Sequence, residues 1–275
     1  MFKATLIISI YKNIAALNVI LLALQRQTEK AFEVIISEDG NNLDVQGFIE
    51  QHPWQDPNRQ HLTQEDEGFR KNKALNQAIK HARTDYLIFI DGDCVPHHRF
   101  VESHVRSATP GFVCSGRRAE LGPRLSNMII KNPKVLPFFA SLIGLLLYAP
   151  WAYFDGAKNY EAGLHSKFLH TFTQNRPRGI VGCNFSCYKK DLVAINGFNE
   201  DYVFPGDGED SDIEWRLLKR DLRVRNIKFL APLYHLYHKT KYQPSAQNKA
   251  ILKKTMERQE VICINGLQKR GNSGV

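Results

Sequence analysis

Three apolar, β-branched runs separated by stretches with helical spacing constrain this chain more than any other feature. The runs are "ATLIISIY", "AFEVIISEDGNN" and "DYLIFIDGD". Between them lie "NIAALNVILLALQRQT" and "FRKNKALNQAIKHA", which carry apolar residues at helical spacing. Strands that alternate with helical patterns predict a parallel sheet with crossover helices, an α/β fold. In such sheets ligands bind beyond the carboxyl ends of the strands. Two acidic clusters, Glu38-Asp39 and Asp91-Gly92-Asp93, fall at such ends.

The pattern resumes near the end of the chain. "RGIVGCNFSCYKKDLVAINGF" reads as a strand and a short helix ending near Gly197, and "EDSDIEWRLLKRDL" as a helix with acids in its first turn. "RVRNIKFLAPLYHLYH" reads as a closing strand and loop. The stretch from about 111 to 178 is irregular, and 241–275 reads as a basic helix with a frayed tail.

Two carboxylates flanking a glycine can share one hard divalent cation, and glycine lets the backbone approach closely. Mg2+ and Mn2+ take oxygen ligands and are commonly held by one or two carboxylates together with substrate phosphates. The competing reading of Asp91 and Asp93 is that they cap the following turn. The net charge of +9 favours anionic partners or a basic soluble surface. A nucleic-acid module would want Lys and Arg interleaved with exposed aromatics, or a recognised motif; neither occurs. The five cysteines include no C-x-x-C pair, so neither a disulfide framework nor a zinc knuckle is indicated. Reduced cysteines fit a cytoplasmic protein, and the N-terminus lacks the features of a signal peptide.

"VLPFFASLIGLLLYAPWAYF", Val135 to Phe154, carries no charge. Basic residues flank it, and Tyr148, Trp151 and Tyr153 cluster at one end. Three readings compete: a buried helix or insertion of the soluble core, an anchor lying on a membrane surface, and a transmembrane helix. Pro137 and Pro150 shorten any straight helix, and a span would separate motifs that need one site.

Taken in order, "LIISIYKN", "SEDG", "GFRKNKALNQAIKHARTDYLIFIDGDCVP" and "GCNFSCYKKDLVAINGFNEDYVFPGDGEDSDIEWRL" resemble a family 2 glycosyltransferase with a galactosyltransferase-type carboxyl-terminal portion. The resemblance covers roughly 1–110 and 178–240. It implies a GT-A (Rossmann-like), mostly parallel central sheet flanked by helices, with an apolar insertion and a C-terminal helical tail. The implied division is a 1–240 glycosyltransferase domain followed by 241–275. Within the domain, 1–110 is the nucleotide-binding half, 111–178 the insertion and 179–240 the acceptor and catalytic half.

The resemblance also implies roles. Asp39, with Glu38 beside it, would receive the nucleobase, typically uracil. Arg70 and Lys73 would reach the diphosphate or acceptor, and Asn76 would serve a structural or nucleotide-edge role. Asp91, Gly92 and Asp93 would form the metal and nucleotide-sugar motif, completed by His238 or His235. Asp210, with Glu209 second, would supply the catalytic base; the alternative is acids that complement a helix dipole. Asn184, Gly206 and Gly208 would line or approach the donor.

The sequence departs from the family pattern at Glu38, in "FPGDGED", and at Asp221, where glycine usually follows the helix. Asp tolerates the left-handed conformation better than most residues. The implied activity is inverting transfer from a nucleotide sugar, a UDP-sugar first, with Mn2+ or Mg2+ as cofactor. The acceptor would be a glycan or lipid-linked molecule in cell-surface polysaccharide or lipopolysaccharide synthesis. The implied location is cytoplasmic, peripheral at the inner face of the membrane, with no nucleic-acid partner. The rival reading is a non-catalytic nucleic-acid- or glycan-binding module on the same fold.

Overall fold

The computed structural model describes residues 1–206, 208–239 and 244–269. Its strands are β1 Ala4–Ile10, β2 Phe32–Glu38, β3 Arg59–Leu62, β4 Tyr86–Asp91, β5 Cys94–Pro96, β6 Phe112–Ser115, β7 Arg117–Glu120, β8 Phe185–Tyr188, β9 Arg223–Asn226 and β10 Pro232–His235. Its helices are α1 Ile14–Leu24, α2 Leu43–Gln51, α3 Lys71–His81, α4 Phe100–Ser107, α5 Pro123–Lys131, α6 Leu136–Phe139, α7 Leu142–Phe154, α8 Lys167–Thr171, α9 Lys189–Ala194, α10 Glu209–Leu218 and α11 Ala246–Glu257.

The main sheet has the order β3-β2-β1-β4-β8-β6-β9. Among the described strands of this sheet only β8 runs against its neighbours, so the expected mostly parallel sheet is present. It is buried on both faces. Leu6, Ile8, Ile88 and Ile90 point into one core, and Ile7, Leu87 and Phe89 into the other. Strand side chains alternate between faces, so a sheet covered on both sides needs unbroken apolar runs. On the first face α1 buries Leu17, Ile20, Leu21 and Leu24, and each such side chain contributes about 1.5–3 kcal/mol.

A second sheet, β5-β10-β7, carries the other half of the site. The segment 223–238, expected as one closing strand, is divided between the sheets. β9 ends at Asn226, Phe229 takes φ 69°, and β10 restarts at Pro232. Asp221 does adopt the left-handed conformation, at φ 63°.

The C-terminal helix is present as α11, but the chain beyond it is anchored, not frayed, as far as Lys269. Asn196 Nδ2 donates to the carbonyls of Cys263 and Gln268, and Leu267 packs against the second core. Parts of the expected tail, 240–243 and 270–275, lie outside the described residues.

The uncharged segment Val135–Phe154 is not a buried core helix. α7 turns 105° from the preceding helical segment, and among the described residues no single helix is long and apolar enough to cross a membrane. Leu136, Phe139, Leu145 and Ala152 face inward, while Leu142, Ile143, Leu146, Leu147, Trp151 and Phe154 are exposed. All five cysteines are free and buried.

Candidate active site

Strand pairing assembles the metal end of the site. β5 and β10 are antiparallel with His235 opposite Cys94, and the Asp93 carbonyl accepts from Leu236 N at 2.9 Å. This register brings Asp93 Oδ2 to 3.4 Å from His235 Nε2 and 3.2 Å from His238 Nε2. One ligand atom from each of the three lies within 4.8 Å of the others. Burial opposes ionisation of Asp93, but its bonds with His235 and His238 outweigh that and hold the carboxyl well below the usual range. The same bond with Asp93 raises His238 against the opposing effect of burial. An imidazole–carboxylate set of this size could hold a divalent cation, and both histidines of the H-x-x-H pattern join Asp93 in it.

Asp91 is not part of that trio. Its Oδ1 lies 2.9 Å from Lys71 Nζ. Gly92 between the two acids is required by packing: a Cβ there would come 2.8 Å from the Ser9 carbonyl and 2.6 Å from Ile10.

The base end lies at the start of α10. Gly208 caps this helix at φ 106°, packed against Tyr202 and the Asn248 carbonyl. Asp210 Oδ2 accepts from Gly182 N at 3.0 Å. Glu209 Oε1 lies 3.4 Å from Lys71 Nζ, and its Oε2 is buried without a partner. Burial pushes Glu209 up to about 7, opposed by Lys71 and reinforced by Asp210 and Asp91. Burial also raises Asp210, again with Lys71 opposing. Burial would lower Lys71, but Asp91, Glu209 and Asp210 together keep it charged well above its usual range. These residues, with Ser9, Phe89 and Phe185, line one crevice at the carboxyl ends of β1 and β4.

At Asp39, which the resemblance assigns to the nucleobase, Oδ2 accepts from Arg70 N at 2.8 Å and Oδ1 from Gln64 Nε2 at 2.7 Å. Burial raises its pKa. Gln64 Oε1 is buried and unpartnered beside it.

Four expectations are corrected. Glu38 is buried with its oxygens committed to Asn42 N and His61 Nε2, so it braces the loop and does not face a ligand. Asn184 is fully buried and does not line the donor cleft: its amide bonds the Arg117 and Ala231 carbonyls, and its oxygen meets His104. Lys73 does not enter the crevice. It pairs with Glu67 and shares an outer cavity with Arg70, Gln77 and Lys80. Asp91 binds Lys71, not the histidine trio. Asn76 is structural, tying α3 to Phe198 and Glu200.

Three site residues escaped the sequence reading. Lys71 was detectable, because it precedes the buried Leu75 by one helical turn whereas Lys73 shares the polar face of Gln77 and Lys80. Gln64 and Arg118 carry no motif signal. Arg118, on β7, donates to Cys183 Sγ at 3.3 Å and pairs with Glu120 at 3.4 Å, and its charge favours the ionised form of Asp210 while opposing that of His238.

The profile of glycosyl transferase family 2 matches residues 5–189. The chain belongs to this family. A second profile, described as the N-terminal domain of galactosyltransferase, matches residues 162–239. Hyaluronan synthase of Pasteurella multocida is 30% identical over 102 residues, which are 37% of this chain and 10% of the synthase. The chain thus spans about a tenth of that relative.

Among solved structures, a mannosyltransferase from Pyrobaculum calidifontis in complex with GDP-Man and Mn2+ is similar at TM-score 0.55 and 16% identity. That match covers 87% of this chain and 58% of the neighbour. GalNAc-T7 with UDP, GalNAc and Mn2+ is similar at TM-score 0.62 and 10% identity, covering 94% of this chain and 48% of the other. These likenesses establish the GT-A fold.

Proposed function

We propose that this chain moves a sugar from a nucleoside-diphosphate donor, a UDP-sugar first, to a hydroxyl of a glycan or lipid-linked acceptor, with inversion. The observation that carries the reading is the convergence of two acidic centres from distant parts of the chain. Asp93, His235 and His238 offer a divalent-cation site, and Lys71 ties Asp91 to Glu209 beside Asp210. Mn2+ bound by the trio would neutralise charge on the departing diphosphate; Mg2+ is the alternative ion. The solved neighbours that carry Mn2+ with a nucleotide or nucleotide sugar support this choice.

The chain's own residues do the rest. Asp39, held by Gln64 and the Arg70 amide, accepts the imide N–H of the nucleobase. Lys71 and Arg118 supply positive charge near the diphosphate. Asp210, held by Gly182, takes the acceptor's hydroxyl proton, with Glu209 as the second candidate. The acceptor oxygen forms its bond to the anomeric carbon as the bond to the diphosphate oxygen breaks, the diphosphate leaving with the electron pair. A single displacement of this kind inverts the configuration.

A panel of nucleotide sugars incubated with Mn2+ tests this, scored for slow hydrolysis. The expected result is one preferred donor whose turnover falls in Asp93→Ala and Asp210→Ala. Wild-type turnover in both variants would remove the site assignment.

A further inference from the structure

We infer that the outer face of α7 docks on an anionic lipid bilayer and delivers the acceptor to the cleft from the membrane surface. The exposed residues form adjacent helical rows: Leu142 and Leu146 in one, Ile143, Leu147 and Trp151 in the other, closing at Phe154. Leu146 and Leu147 are each 65% exposed and Phe154 83%. The opposite side packs tightly on α6, where a Cβ at Gly144 would collide with the Phe138 carbonyl. The face is therefore held rigidly, with its apolar surface turned out.

Charge identifies the occupant. Between Leu121 and Asn159 the basic residues are Arg124, Lys131, Lys134 and Lys158, and the sole acid is Asp155. All four basic residues are exposed. Asp155 is engaged in capping α5, where its oxygens accept from Arg124 N at 3.1 Å and Leu125 N at 2.9 Å. An apolar face in a stretch where four exposed cations outnumber one acid, with Trp and Tyr at one end, complements anionic headgroups over an acyl layer. A second copy on this face would bring the same cations together. α7 alone is too short to span: its 13 residues rise about 20 Å, against about 30 Å of hydrocarbon, and it turns 105° from the helical segment before it.

The aromatic end of α7 lies on the metal side of the cleft. Asp155 caps α5, and Ser126 Oγ on α5 accepts from Tyr237 N at 2.7 Å, next to His238. Lys158 pairs its backbone with Glu120, whose neighbour Leu121 donates to the His235 carbonyl. A membrane under α7 therefore borders the site.

The test is co-sedimentation of the full chain with phosphatidylcholine vesicles, with and without phosphatidylglycerol. Binding is expected to require phosphatidylglycerol. Leu146→Glu/Leu147→Glu and Lys131→Glu/Lys134→Glu should each weaken it by about tenfold or more. Leu43→Glu, at an exposed apolar residue on α2, should bind as wild type. Circular dichroism melts of the variants confirm folding. The inference is overturned if the folded wild type stays in solution with both vesicles, or if Leu146→Glu/Leu147→Glu binds as wild type. It is also overturned if α7 supports a concentration-dependent dimer and no vesicle binding. None of these outcomes touches the donor-hydrolysis test of the catalytic reading.

Discussion

Lys71 Nζ lies 3.4 Å from Glu209 Oε1, linking α3 to α10 across 138 positions of the chain. The same ammonium lies 2.9 Å from Asp91 Oδ1. One half-buried cation therefore pairs with two acids, and its charge also lowers Asp210.

The pH dependence stems from that cation. Glu209 sits at about 7 with Lys71 in place, and Lys71 lowers it. A base works only when deprotonated, so kcat/KM should rise with pH through an apparent pKa near 7 belonging to the Glu209–Asp210 pair. Lys71→Met removes the lowering effect, so this limb should move to higher pH and kcat should fall. A limb at the wild-type position in Lys71→Met would show that Lys71 does not govern the pair.

Asp39→Ala should act on donor binding. Its carboxylate fixes Arg70 N and Gln64 and stands at the nucleobase position. A charge-assisted bond contributes about 1.5–3 kcal/mol, so the donor KM should rise about 10–100-fold while kcat changes little. Steady-state kinetics with varied nucleotide sugar separates the two constants.

Gly182→Ala is a conservative change with a specific target. The new Cβ would collide with Asp210 Oδ1, and the carboxylate must leave the Gly182 N–H. Transfer should fall by about 100-fold, in the range of a lost general base. Thermal melting should show a folded protein near wild-type stability.

The buried pair under α10 holds the catalytic helix. Arg216 Nε donates to Asp212 Oδ2 at 2.8 Å, and Arg216 Nη1 donates to the Ile195 and Gly197 carbonyls. Asp212→Ala strands a buried guanidinium and should cost about 3–5 kcal/mol. Urea denaturation measures the loss.

The sequence disclosed much of this arrangement because the relevant signals are local. Strands β1, β2 and β4 are unbroken apolar runs, since both sheet faces are covered. Asp39, Asp91 and Asp93 stand where those runs stop. The edge pieces were not legible: β3 is "RQHL", with every residue half-buried and no apolar alternation, and β5 is three residues long. Glu38 and Asn184 show the limit of a motif, which gives a residue's place but not its hydrogen-bond partners. Those partners come from His61, His104 and Ala231, remote in the chain. Val135–Phe154 is apolar on every side in sequence, and only packing distinguishes the face holding Leu145 and Ala152 from the open face.

The central claim is that Asp93, His235 and His238 hold a divalent cation beside the acids of α10. Titration of Mn2+ into the protein with UDP present, followed by electron paramagnetic resonance, tests it most directly. The account predicts saturable Mn2+ binding that Asp93→Asn and His238→Ala each weaken by at least about tenfold, with Asp210→Asn binding as wild type. Wild-type Mn2+ affinity in Asp93→Asn would contradict it.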